Sequence, residues 1–262
     1  MIFLLKCLSF ILEREGWNNS NMNKKYDKLE KISKIYDPSS EKYDFDAAFK
    51  TYHSEIILNN LSGNKILELG CSTGYSTYLL DNGENYIDVV EGSLNNINMS
   101  KKKFNYKNVE FVHSLWADYD FKGRYSDILL IDTIQMLDDK SEILTKIKNS
   151  MDQKSRFHII SPNNKSFHRL LGLEMNLIEN LDDQSARDIA VEANQDLNWD
   201  KLRQLLSMVG FKILKEEGIL FKLFDNKKMS SLDSDIISAL FKLGDEFKEN
   251  AAHMYICCAL EK

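Results

Sequence analysis

Proline is nearly absent from these 262 residues: only Pro38 and Pro162 occur, so no proline-rich linker divides the chain. Cysteine is equally sparse. Cys7, Cys71, Cys257 and Cys258 form no C-x-x-C pair, and no histidine stands at ligand spacing from them. That excludes a dense disulfide scaffold and leaves no metal expected from sequence spacing. Reduced, buried thiols fit a cytoplasmic protein. A basic surplus is also missing, with 34 Lys and Arg against 40 Asp and Glu and a net charge of −6, which argues against nucleic acid as a partner. The one dense basic run, Lys101-Lys102-Lys103, reads as a solvated helix end. No apolar run is long enough to span a bilayer, so no membrane partner is expected. Residues 1–12 are apolar but broken by Lys6, without a leading basic region or a small-residue cleavage site. Residues 1–21 read either as an accessory amphipathic helix or as an extension upstream of a start at Met22.

What is present is core-forming material. Hydrophobic residues make up 43% of the chain, enough to cover both faces of a sheet, so residues 22–262 read as a single elaborated α/β domain. Residues 45–61 carry apolar side chains at helical spacing (Phe45, Phe49, Tyr52, Ile56) and end at Ser62-Gly63. Short apolar runs at 65–69, 86–90, 109–112, 127–131 and 157–160 then alternate with helix candidates at 75–80, 94–104 and 140–151. This is the pattern of β-α-β units building a buried, mostly parallel sheet. After an acidic stretch at 182–198 come a helix over 199–208, a strand at 211–214, a further helical region, and a last run at 253–260. The two late strands have room to close the sheet as a pair with an antiparallel edge strand, which makes seven strands in all.

The most informative segment is Lys65-Ile66-Leu67-Glu68-Leu69-Gly70-Cys71-Ser72-Thr73-Gly74-Tyr75: a strand, a glycine turn, then a helix start. Such a turn lets backbone approach a ligand closely while the first helical amides face it. About 20 residues on, the second strand ends in Glu91-Gly92, an acid suited to hold both hydroxyls of a ribose. A dinucleotide is disfavoured because G-x-G-x-x-G is absent and Glu68 would repel a pyrophosphate.

Residues 68–77 resemble the first motif of class I S-adenosylmethionine-dependent methyltransferases, E/D-x-G-x-G-x-G. Gly70 and Gly74 match its first and third glycines; Ser72 replaces the second and is tolerated there if its φ is negative. The resemblance covers the chain from about residue 43. It implies a Rossmann-like fold, S-adenosyl-L-methionine as cofactor, and residues 22–62 as a helical lid. It also implies a cofactor site made of Glu68, near the methionine amino group, Gly70, Cys71, Ser72, Gly74, Glu91 on the ribose, Gly92, Ser114, Leu115 and Trp116 around the adenine, and Asp132 and Thr133 after the fourth strand. The run Ile160-Ser161-Pro162-Asn163-Asn164-Lys165-Ser166-Phe167-His168-Arg169 resembles a segment of a bacterial subgroup whose members modify sugars and other building blocks of surface polysaccharides. That implies a small-molecule acceptor carrying a sugar or a phosphoryl group such as a phosphoramidate. Where the family often carries Glu-His after the fourth strand, this chain reads Asp132-Thr133-Ile134-Gln135. The sequence leaves the oligomeric state open.

For methyl transfer to a hydroxyl, a nearby base contributes about 10²–10⁴-fold. Asp132, His168 and His53 are the candidate catalytic residues, whereas His113, His158 and His253 read as structural, and Arg169 could meet an anionic acceptor. The competing reading is a non-catalytic methyltransferase-like binding module or partner subunit.

Overall fold

The computed structural model describes residues 23–34, 45–137 and 139–261; the expectations for residues 1–21 lie outside them. Helix α1 spans residues 23–33. It is followed by α2 (Phe45–Leu58), β1 (Lys65–Leu69), α3 (Tyr75–Leu80), β2 (Tyr86–Glu91), α4 (Leu94–Lys103), β3 (Val109–His113) and β4 (Asp127–Ile131). A 3-10 turn at Ile134–Met136 leads to α5 (Lys140–Ser150), β5 (Arg156–Pro162), α6 (Phe167–Glu174), α7 (Ala186–Val191), α8 (Trp199–Val209), β6 (Phe211–Ile219), α9 (Asn226–Met229), α10 (Ser234–Glu246) and β7 (His253–Leu260).

The seven strands form one sheet in the order β3-β2-β1-β4-β5-β7-β6. The first five pair in parallel, while β7 runs antiparallel to both β5 and β6. The late pair therefore closes the sheet as expected, with β7 inserted beside β5 and β6 outermost. This reversal matters for function. Because β7 is antiparallel, its first residue, His253, pairs with Pro162 at the carboxyl end of β5.

Alternation along each strand sends side chains to two cores. Leu67, Leu69, Ile128, Leu130, Phe157 and Ile159 face α5 and α8, where they meet Ile143, Leu144, Trp199, Leu202 and Leu206. Ile66, Leu129, Ile131 and Ile160 face the opposite layer, where α2, α3 and α10 contribute Phe45, Phe49, Ile57, Leu80 and Phe241. Burial on both faces is what makes these strands read as continuous apolar runs. Caps fix several helix starts: Ser93 accepts from the Asn96 amide, Asp139 from Ser141 and Glu142, and Asn198 from Lys201. The lysine run 101–103 ends α4, as its sequence implied.

The structural reading of His158 is met in detail, and Arg169 and the 160–169 segment are also bonded within the protein. Asp127, fully buried at the start of β4, accepts from the amides of Ser62 and Gly63 and from His158 Nε2 at 2.9 Å, and His158 Nδ1 lies 2.9 Å from the Tyr255 hydroxyl. His158 is thus a satisfied structural histidine. Arg169 donates to the carbonyls of Leu181 and Asp183 and so ties down the loop after α6. Within the 160–169 segment, Asn163 donates to the carbonyls of Glu249 and Ala251, and Asn164 bonds Asp182 and the Gln195 carbonyl.

Candidate active site

Both halves of the site lie at the carboxyl ends of the parallel strands, where open α/β sheets bind ligands. The first half is the turn between β1 and α3. Its φ angles are +83° at Gly70, +49° at Ser72 and +78° at Gly74, so every second residue is left-handed. A side chain at Gly74 would run into Ser100 and Tyr106, whose hydroxyl donates to the Gly74 carbonyl at 3.0 Å, and one at Gly70 would press on Trp116 and Thr133. The serine at 72 departs from the sequence expectation: its φ is positive, so the backbone takes the glycine-type path and Ser72 bears a left-handed conformation disfavoured by roughly 1–2 kcal/mol for a residue with a Cβ.

Glu91 holds this turn in place. Its Oε2 accepts from the amides of Cys71 (3.1 Å) and Ser72 (3.2 Å), and its Oε1 from the amide of Ser93 (2.8 Å) and from Asn96 Nδ2 (3.5 Å). Burial pushes the Glu91 carboxyl up, and these donors pull it back. Glu68 is buried beneath the turn, accepts from the Thr77 hydroxyl at 2.6 Å, and is pushed up to about 7 by burial. Burial also raises the Cys71 thiol well above its ordinary range.

Around this turn stand the other residues implied for the cofactor. Trp116 Nε1 donates to the Val90 carbonyl at 3.3 Å, which sets the indole against Gly70, and the Ser114 amide donates to the Glu91 carbonyl. Helix α1 closes over them. Leu29 leaves no room for a side chain at Gly92, Tyr26 accepts from the Leu115 amide at 3.3 Å, and Glu30 accepts from the Leu94 amide at 2.7 Å. Tyr26 also packs on His113, with ring centroids 5.2 Å apart.

The second half surrounds Asp132, which follows β4 with φ +50°. Its Oδ2 lies 3.4 Å from His53 Nδ1 and its Oδ1 3.2 Å from His253 Nδ1. Burial raises the Asp132 carboxyl, but the two imidazoles outweigh it and hold the group at about 2; burial pushes His53 down to about 4. The carboxylate keeps 32% exposure, whereas the His53 side chain has none. Phe49 stacks on His253 at 4.4 Å and packs against His53 at 5.8 Å, so one aromatic of α2 aligns both rings. Two half-buried cations stand nearby: Lys50 donates to the Thr73 hydroxyl at 3.3 Å, and Lys222, lowered to about 8 by burial, donates to Asn226 at 2.7 Å.

Of the three catalytic candidates, Asp132 and His53 are brought together. His168, in the first turn of α6, is outside the His53–Asp132–His253 cluster, its Nδ1 buried without a partner; burial and the charges of Lys222 and Arg169 bring it down to about 2, so it is a neutral imidazole. Sequence reasoning missed His253, Lys50 and Lys222. The signal for His253 is topological: only an antiparallel final strand starts at this end of the sheet.

The fold and the turn define a class, and comparison with known proteins agrees. Residues 60–210 match the methyltransferase domain family, more than half of the chain, and the protein belongs to that family. No curated protein sequence matches it. Among solved structures, the chain is similar to the plantazolicin methyltransferase BpumL in complex with SAH, with 14% identity, a TM-score of 0.56, and coverage of 93% of this chain and 99% of that one. It is also similar to the magnesium protoporphyrin IX methyltransferase of Synechocystis PCC 6803 with bound SAH (12%, TM-score 0.54, 82% and 84% covered). A third is a SAM-dependent methyltransferase of Thermotoga maritima, described as a possible histamine N-methyltransferase (16%, TM-score 0.59, 88% and 99% covered). At these identities the likeness is one of fold. Among the described residues no helix is long and apolar enough to cross a membrane.

Proposed function

We propose that this protein is a cytoplasmic S-adenosylmethionine-dependent O-methyltransferase whose acceptor is a small sugar- or phosphoryl-containing intermediate of surface polysaccharide biosynthesis. One observation carries the reading: a turn with three left-handed positions, clamped by Glu91 and flanked by Trp116, faces a cluster of unpartnered imidazole and carboxylate groups across Thr133. Solved methyltransferases of the same fold hold SAH, which supports S-adenosylmethionine as the donor.

In this reading the 70–74 turn cradles the cofactor and Trp116, Ser114 and Leu115 flank its adenine. Glu68 faces the methionine ammonium, and the Glu91 carboxylate exchanges loop amides for ribose hydroxyls. The acceptor oxygen attacks the methyl carbon in line with the departing sulfur. The carbon–sulfur bonding pair stays on sulfur, leaving neutral SAH, and the hydroxyl proton passes to the Asp132 carboxylate, which His53 and His253 hold in place. Positioning supplies on the order of 7–11 kcal/mol of such a barrier. Lys50 and Lys222 favour an anionic acceptor, and the resemblance of residues 160–169 supports the substrate class. His168 contacts the acceptor as a neutral hydrogen-bonding group.

The test is transfer of labelled methyl from the cofactor to a panel of nucleotide-linked sugars and phosphorylated small molecules. Label on at least one of these is expected. Label that enters only RNA or protein contradicts the acceptor class, and cofactor binding without transfer to any acceptor returns the reading to a binding module.

A further inference from the structure

Sequence spacing gives no metal motif, yet the fold assembles one. His53 comes from α2, Asp132 from the end of β4 and His253 from the start of β7, and one ligating atom from each lies within 4.8 Å of the others. The contacts are not ordinary hydrogen bonds. His53 Nδ1 and Nε2, His253 Nδ1 and Asp132 Oδ1 are all buried without a hydrogen-bond partner, whereas about 90% or more of buried polar groups have one. The spacing fits a different relation. Ligands about 2.1 Å from a metal stand about 3.0 Å apart when adjacent in an octahedron and about 3.4 Å apart in a tetrahedron; here each carboxylate oxygen faces one imidazole, Oδ1 at 3.2 Å from His253 and Oδ2 at 3.4 Å from His53, so a cation held by both oxygens would meet one imidazole beside each. The other His–Asp network of the same sheet, Asp127 with His158, closes at 2.9 Å with every contact made, so the longer separations belong to this place and not to buried His–Asp pairs of this fold in general.

We infer that His53, Asp132 and His253 form a binding site for a divalent transition-metal cation at the acceptor end of the cleft. Two imidazoles and one carboxylate suit Mn²⁺, Fe²⁺, Co²⁺, Ni²⁺ or Zn²⁺ better than Mg²⁺ or Ca²⁺, which prefer all-oxygen shells. The left-handed backbone at Asp132 and the Phe49 ring stacked on His253 fix two of the three ligands before any ion arrives. Three protein ligands leave coordination positions open, and Asp132, at 32% the most exposed of the three side chains, is where an outside oxygen would reach the ion. A phosphoryl or hydroxyl oxygen of the acceptor would fill such a position; this last step rests on the methyl-transfer reading, while cation binding does not.

The test uses the full chain, stripped with EDTA and dialysed, then titrated with Co²⁺ and Zn²⁺ by calorimetry, with the visible d–d bands of Co²⁺ as a ligand-sensitive readout. SAH binding is measured on the same samples. One equivalent of Co²⁺ with nitrogen-ligand bands is expected, displaced by Zn²⁺. In Asp132→Asn and His253→Gln, cation affinity should fall at least about 100-fold, with the circular dichroism spectrum retained in both and SAH binding retained in His253→Gln. His168→Gln, outside the ligand set, should bind the cation as the wild type does. Absence of stoichiometric Co²⁺ binding by the folded wild type overturns the site, as does unchanged binding in the double variant Asp132→Asn/His253→Gln. Loss of SAH binding alone would instead count against the cofactor reading.

Discussion

Strand β4 carries an aspartate at each end, and the two ends behave oppositely. Asp127, where the strand begins, is enclosed by the Ser62 and Gly63 amides, the Ser62 hydroxyl and His158, and the chain of bonds continues to Tyr255. Asp132, just past the other end, faces two imidazoles at 3.2 and 3.4 Å and leaves buried polar atoms without partners. The residue types are the same; the difference is satisfaction. A closed network cements the sheet, whereas an unfinished one at the carboxyl ends of parallel strands leaves polar atoms for a ligand to satisfy.

The contrast can be broken at either end. Asp127→Ala removes one partner of a fully buried network and should cost about 3–5 kcal/mol of unfolding free energy, read by urea denaturation. Asp132→Asn should instead leave stability within about 1 kcal/mol while lowering methyl transfer by about 10²–10⁴-fold, read as kcat at saturating cofactor. Equal destabilisation by the two substitutions would erase the distinction.

Two smaller effects sharpen it. Burial lifts Glu68 from its ordinary 4.5 to about 7, so its folded pKa lies above its unfolded one. The stability it contributes is present in full below pH 4.5 and is lost as pH rises through 7, a change on the order of 3 kcal/mol. Glu68→Gln should flatten this part of the pH profile of the melting temperature between pH 5 and 8. The least effect is expected at Ser72. Ser72→Gly relieves the left-handed strain at φ +49° but frees the unfolded chain, for a net gain of at most about 1 kcal/mol, whereas Ser72→Val should lose about 1–2 kcal/mol, both by thermal unfolding.

Much of the fold was legible because burial on both sheet faces forces continuous apolar strands. The runs at 65–69, 127–131 and 253–260 coincide with β1, β4 and β7, and β6 extends beyond its short apolar opening because its outer residues are exposed on the sheet's edge. The glycine turn and its distal acid were legible as a motif, but the φ of Ser72 was not: a serine carries no mark of a left-handed angle imposed by its neighbours. His253 was illegible for another reason. Its role follows from strand order and direction, which bring it to Asp132 and His53 across long stretches of chain. Likewise the resemblance implied a helical lid over residues 22–62, but the contacts of α1 with Gly92 and Leu115 depend on the folded arrangement and left no mark in the sequence.

The central claim is that the turn from Gly70 to Gly74, clamped by Glu91, holds the methyl donor. Calorimetric titration of SAH into the wild type and into the Gly70→Ala/Glu91→Ala double variant tests it most directly, with the fold of each checked by circular dichroism. One site near micromolar affinity is expected in the wild type, weakened by at least about tenfold, or 1.4 kcal/mol, in the folded variant. No heat in the wild type, or equal affinity in both proteins, would contradict the account.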